Sequence, residues 1–163
     1  MKQQSVFIKY YGAEAADDRL VRIGKDSYAL FYGFGNDEAM EGSGYQWRKD
    51  YDHLPTVEEV KADIEELINA QTEHRITYGL IFGGGYVYLS RENQLNFNNT
   101  VSVPVTYKLG EFADGHPMYY TFGKQADLTT FRRAVGDHIS QCLTEGYEAK
   151  DAVDYDKIMG GVE

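Results

Sequence analysis

Apolar residues come in short alternating bursts over the first third of the chain and then switch to helical spacing. Residues 5–11 are β-prone and stop at Gly12, residues 20–23 stop at Gly24, and residues 28–34 form an aromatic run punctuated by Gly33 and Gly35. Short runs bounded by glycine read as antiparallel strands. Residues 13–18 are small and acidic, a turn or short helix, and residues 36–44 are the most linker-like segment. Residues 45–48, with Trp47, stand between that loop and the irregular stretch before Pro55.

After Pro55 the period changes. Val57, Val60, Ile64, Leu67 and Ile68 fall on one helical face, and Thr56 with Glu59 matches a capping box. This helix is expected to fray around residues 70–74. Residues 76–82 and 86–89 flank three glycines, Gly83, Gly84 and Gly85, and predict a β-hairpin, because a tight reversal needs the positive φ that glycine allows. A polar segment follows at residues 90–94, and residues 95–97 are expected to extend the strand pattern. Residues 101–108 and 118–122 predict a second hairpin, with Pro104 marking an edge, a bulge or a strand start. Asp127 is expected to cap a second long helix whose stripe is Leu128, Phe131, Val135, Ile139, Cys142 and Leu143, with Gly146 as its stop. Residues 148–159 predict a short third helix with Ala152, Val153 and Ile158 inward.

Strands, helix, hairpin, hairpin, helix is the order of an α+β fold. The expected architecture is an antiparallel β-meander of two hairpins with helices packed on one face, plus short N-terminal strands. Two divisions follow: residues 1–50, a β-rich segment that adds to the sheet or forms a subdomain, and residues 51–163, an α+β domain.

Charge narrows the function classes. The 163 residues carry a formal net charge of −10 and no polybasic run, so no affinity for nucleic acid is expected. No apolar run approaches the roughly 20 residues that cross a bilayer, and no signal peptide is visible. A protein made in the cytosol, with no membrane contact, is expected. Aromatics make up 14% of the chain and are mostly tyrosine, which suits either interfaces or half-buried strand positions. The lone cysteine, Cys142, cannot close an internal disulfide and sits on the stripe of the second helix.

The chemical motifs fail one by one. Gly33 and Gly35 start a dinucleotide fingerprint that position 38, a glutamate, breaks; Gly24-Lys25 lacks the rest of a phosphate loop. His53, His74, His116 and His138 have no zinc-site spacing, and His138 is expected to pack. The acidic residues of the first helix read as a solvated face. No catalytic constellation, cofactor site or metal site is expected. Two groups are candidate binding residues. One is Tyr45 with Trp47. The other is the polar rim Ser90, Arg91, Glu92, Asn93 and Gln94, whose plainer reading is that Ser90 and Asn93 satisfy local backbone groups while Gln94 braces a neighbouring strand.

A wider pattern links several of these runs. It comprises Ile76 and Gly79, Val87-Tyr88-Leu89-Ser90, Glu92-Asn93-Gln94 with Asn96, and Pro104-Val105-Thr106-Tyr107-Lys108. It continues through residues 118–122, Asp127-Leu128, Phe131, Ala134-Val135, His138-Ile139 and Cys142-Leu143. In these features residues 76–158 resemble a domain of unknown function from phage and prophage proteins. That domain occurs at the C-terminal end of tail-fibre-related proteins and in small stand-alone proteins of gut bacteria and their phages. The small-residue stretch usual after the asparagine-rich turn is nearly absent, replaced by Asn99-Thr100-Val101. The resemblance carries no catalytic residues. It implies a non-enzymatic structural or assembly protein, tail- or virion-associated, whose partners are other phage proteins and itself. The alternatives are a small-molecule or glycan-binding module in host recognition and, more weakly, a counter-defence protein that sequesters a host factor.

Overall fold

The computed structural model describes residues 6–37 and 42–162. The fold is α+β, with two four-stranded antiparallel sheets. The chain divides into two compact units, Met1–Leu67 with Ala152–Glu163, and Ile68–Asp151.

The first unit holds β1 (Ile8–Tyr11), β2 (Arg19–Arg22), β3 (Tyr28–Asn36) and β4 (Gly44–Tyr51), ordered β1-β4-β3-β2. Residues 45–48, left without an element by their sequence, form the inner strand β4, and residues 13–18 contain no helix. The expected loop 36–44 is the connection of the β3–β4 hairpin. Its ends are tied by the Asp37 N–H donating to Ser43 O at 3.0 Å, and residues 38–41 lie outside the described residues. Strand alternation puts Leu20, Leu30 and Tyr51 on one face, all buried. Buried Val60 and Ile64 of the helix α1 (Val57–Tyr78) and Ile158 of α4 (Tyr155–Gly160) supply the apolar partners from helices. The Tyr51 hydroxyl ties this face to α1 by donating to Asp63 at 2.5 Å, and Lys49 pairs with the same carboxylate at 3.0 Å.

The capping box forms as the sequence spells it. The Glu59 N–H donates to Thr56 Oγ1 at 3.2 Å, and the Thr56 N–H donates to Glu59 Oε2 at 2.7 Å. Of the expected stripe, Val60, Ile64 and Ile68 are buried, whereas Val57 is exposed.

The second unit takes the C-terminal part of α1 and adds β5 (Leu80–Phe82), β6 (Gly85–Val87), α2 (Arg91–Asn98), β7 (Val105–Glu111), β8 (Pro117–Phe122) and α3 (Gln125–Asp151). Its sheet is a plain meander, β5-β6-β7-β8. Gly83 and Gly84 have φ of 62° and 84°, the pair of positive values that a two-residue hairpin turn of the primed type demands. The core is mainly aromatic: Phe131 stands 5.0 Å from Phe82, 5.3 Å from Phe97 and 5.1 Å from Phe122, ring centre to ring centre.

Several expected boundaries move for identifiable reasons. Residues 76–78 are helix rather than strand, and α1 does not fray at 70–74, because Ile68 and Thr72 bury the face of that last stretch. Residues 95–97 do not extend the hairpin; with residues 91–94 they form α2, anchored by buried Phe97. The strand expected over 101–108 starts later, at Val105, just after the cis Val103–Pro104 bond. Asp127 lies in the first turn of α3, which begins at Gln125, instead of capping it. Gly146 does not stop α3. It continues the buried stripe of Leu128, Phe131, Val135 and Cys142, while Leu143 turns outward. A Cβ on Gly146 would come within 2.7 Å of Thr72 Oγ1, so glycine is there for the close approach of α1 and α3. The third helix is shorter than expected, with Ile158 buried and Ala152 exposed.

Candidate functional site

Tyr45 and Trp47 lie on β4, one strand pleat apart, and meet edge to face at 5.6 Å. Tyr11, opposite Tyr45 on β1, continues the row at 5.8 Å. The ring of Tyr45 crosses Gly35, where a Cβ would meet its Cζ at 2.5 Å. Lys9 Nζ stands 4.6 Å from the centre of the same ring and pairs with Asp37 at 3.6 Å. This is a cation–aromatic stack whose rings contact each other and a lysine. Stacking on a sugar needs a free ring face, and Lys9 takes one at Tyr45.

The other face of the same sheet is dressed in a similar way. Phe31 is 5% exposed, with the Arg19 guanidinium 4.4 Å and the Arg48 guanidinium 5.6 Å from its ring centre. Arg48 also lies 5.2 Å from Tyr10 and is pinned by Asp50 at 2.7 Å. That hydrogen bond, followed by the charge of Asp50, holds its already high pKa higher still.

Ser90, Arg91, Glu92, Asn93 and Gln94 belong to the second unit, at the N-terminus of α2. Ser90 is the N-cap, accepting from the Asn93 N–H at 3.2 Å. Asn93 Nδ2 donates to Tyr88 O and Gln94 Nε2 to Leu89 O, both at 2.8 Å. These amides therefore splice the residues after β6 to α2: Ser90 and Asn93 serve local backbone groups as expected, whereas Gln94 also serves a local carbonyl instead of bracing a neighbouring strand. The same segment walls a groove of about 420 Å³, bounded by Leu89, Ser90, Arg91 and Gln94 on one side and by Glu73, Ile76 and Thr77 of α1 on the other. Glu73 and Arg91 place opposite charges on its rim.

The histidines and the cysteine have structural partners. His138 Nε2 lies 3.0 Å from Arg75 O near the end of α1, and Cys142 Sγ is 3.8 Å from that nitrogen. Burial pushes the Cys142 thiol up, away from the thiolate that nucleophilic chemistry requires. Among the described residues, no group of three or more His, Cys, Asp or Glu side chains is placed to hold a metal ion. Among the same residues, no helix is long and apolar enough to cross a membrane.

The feature that residue-by-residue reading missed is the outer face of the second sheet. Strand pairing sets Ile81 beside Tyr86, Tyr86 beside Glu111, Lys108 beside Tyr119 and Thr106 beside Thr121. The opposite face, with Leu80, Val87, Leu109, Met118 and Phe122, is buried. Ile81 is 67%, Tyr86 42% and Tyr119 65% exposed. The one acid on this face, Glu111, accepts from the Tyr88 hydroxyl at 3.1 Å and thereby raises the phenol's pKa. With Lys108 on the same face, that face is close to neutral on a chain of net charge −10. The sequence signal was the alternation in β7, polar at Thr106 and Lys108. Its consequence for Ile81, Tyr86 and Tyr119 depends on register, which the sequence does not print.

Comparison with known proteins adds no identity to this geometry: no family model, no curated protein and no solved structure matches the chain.

Proposed function

We propose that this chain is a phage-encoded, non-enzymatic structural or assembly protein that acts through protein–protein contacts, with the outer face of the second sheet as its contact surface. The observation that carries the reading is the exposure of Ile81, Tyr86 and Tyr119 on one near-neutral face. Large apolar side chains grouped on one exposed surface mark interaction sites more often than scattered ones do. The phage setting rests on the resemblance of residues 76–158, and the partners are other proteins of the particle or of its assembly line.

The test is quantitative mass spectrometry of purified particles and assembly intermediates from cells producing the phage, with the wild-type chain and with Ile81→Lys/Tyr86→Lys. The expected result is a fixed ratio to particle proteins for the wild type and loss of association for the variant at unchanged melting temperature. Absence of the wild-type chain from both fractions, or undiminished association of the variant, would sink the reading.

A second reading, a small-molecule or glycan-binding module, has the groove beside α2 in its favour. It expects a sugar or small-molecule panel to raise the melting temperature of the wild type and not of Arg91→Ala. A panel with no effect removes it.

A further inference from the structure

Among the described residues, the two sheets expose four edge strands, β1 and β2 in the first and β5 and β8 in the second. An open edge is a template for pairing with another chain, and proteins blunt such edges by shortness, charge or cover. Three of the four are blunted here. β1 has four residues and carries Lys9. β2 has four residues, begins and ends on arginine, and is met by α4. β5 has only three residues.

β8 is neither short nor charged, and α3 meets it on its buried face, through Phe122 and Phe131, which leaves its edge open. Its six residues, Pro117-Met118-Tyr119-Tyr120-Thr121-Phe122, include no charge in a chain of which 26% is charged. The single proline stands first, which leaves the rest of the strand able to donate. Among the described residues, no strand pairs with its far side, and no side-chain hydrogen bond is made to its backbone. β-rich, uncharged and open is the pattern of a strand that gains a neighbour.

We infer that the neighbour is β8 of a second copy of this chain, paired antiparallel across a two-fold axis. The two four-stranded sheets then run on as one eight-stranded sheet, and the exposed rows of Tyr119 and Thr121 from both copies join on a single face. Charge favours this occupant. Two chains of net charge −10 repel over most of their surfaces, and a contact centred on β8 sets no acid against an acid within the paired strands. A two-fold contact uses the same patch twice, so an uncharged strand is self-complementary without a separate partner surface. This inference deepens the assembly reading and names one partner for it.

The test uses the full chain in light scattering coupled to size-exclusion chromatography over a concentration series, with hydrogen exchange on the same samples. The wild type is expected to reach the mass of two chains, with slow exchange of alternate β8 amides. Tyr119→Lys/Thr121→Lys puts like charges at the join and is expected to return the mass to one chain, at unchanged circular dichroism, with fast β8 exchange. Ile8→Lys, on the exposed edge strand β1 of the first sheet, is expected to leave the two-chain species intact. A wild type that stays single up to its solubility limit overturns the inference. So does a dimer that survives the double substitution, or one whose β8 amides exchange as fast as in the single chain. A β8-paired dimer that never associates with phage particles would overturn the proposed function and leave this pairing standing; a particle-bound single chain would do the reverse.

Discussion

The two sheets have the same number of strands and manage their faces in opposite ways. The first covers one face with parts of α1 and α4 and sets cations over several of its rings, Arg19 and Arg48 on Phe31 and Lys9 on Tyr45, while Ile8 and Phe34 stay exposed. The second packs one face into a ring cluster of Phe82, Phe97, Phe122 and Phe131 and leaves the other with bare Ile81, Tyr86 and Tyr119. Cation–aromatic stacking lets a small sheet expose rings without exposing an apolar patch, because the charged head stays in water while the stem covers the ring. Among the described residues, no cation stands over a ring on the outer face of the second sheet. Tyr86 and Tyr119 are therefore less shielded on the second sheet than the rings that Arg19, Arg48 and Lys9 cover on the first.

The largest expected effect lies in the core of the second sheet. Phe131 is fully buried and touches three other rings. Phe131→Ala is expected to cost about 3–5 kcal/mol, read as a fall in the urea midpoint, because the surrounding rings cannot collapse into the space. Since whole domains are stable by roughly 5–15 kcal/mol, this one change is expected to bring the second unit close to unfolding. A loss no larger than that of an ordinary surface substitution would mean the ring cluster is not its core.

The corresponding change in the first sheet is smaller. Arg48→Ala removes a guanidinium from Phe31 and Tyr10 and breaks the Asp50 pair, at an expected cost of about 1–2 kcal/mol. Arg48→Lys keeps the charge and loses the planar stack, so it is expected to recover less than half of that loss. Full recovery by lysine would show that charge alone matters, and the contrast between the sheets would weaken.

Much of the helical part was legible in the residues. Thr56 and Glu59 state the start of α1 because a capping box is local, and the α3 stripe is read by counting because Leu128, Phe131 and Val135 all bury. α2 was illegible for a physical reason. Only Phe97 is buried among its eight residues, so no apolar period exists to find, and its N-cap signal, Ser90 with Asn93, lacks the Glu or Gln that makes a capping box recognisable. Residues 76–78 mislead through β-branched and aromatic side chains that tertiary packing holds in a helix. The candidate site was illegible for another reason: Ile81, Tyr86 and Tyr119 have core composition, and only strand register decides that they face out.

Two glycines on one helix separate local from tertiary causes. A Cβ on Gly136 of α3 would have nothing within 4 Å, whereas one on Gly146 would meet Thr72. Gly136→Ala is expected to raise stability by up to about 1 kcal/mol, the usual helix preference for alanine over glycine. Gly146→Ala gains the same local term but must push α1 from α3, and the net is expected to be a loss of about 1 kcal/mol. Thermal melts of the two variants settle it: if both stabilise, Thr72 turns aside and the close approach is not what requires glycine.

The smallest effect belongs to the surface of the first unit and tests whether its polar dressing is felt at all. His53 lies 2.8 Å from Asp52 and 2.9 Å from Glu59, and hydrogen bonds to Asp52 first and Glu59 second raise its pKa above 6.5. Glu59 is lowered below 4.5, first by the Thr56 N–H and then by His53. A raised histidine stabilises fully below pH 6.5 and loses that contribution as pH rises through its folded value. A lowered carboxylate stabilises above pH 4.5 and loses its contribution as pH falls through its folded value. Both terms are therefore complete together only between pH 4.5 and 6.5. Because His53 and Glu59 are about half exposed, salt should shrink the effect. His53→Gln is expected to flatten the decline of melting temperature above pH 6.5 and to leave the acid limb, which Thr56 mainly sets, in place. Identical pH profiles for wild type and variant at low salt would show that this capping-box histidine pair contributes nothing, and that the first unit relies on its stacked arginines and buried face alone.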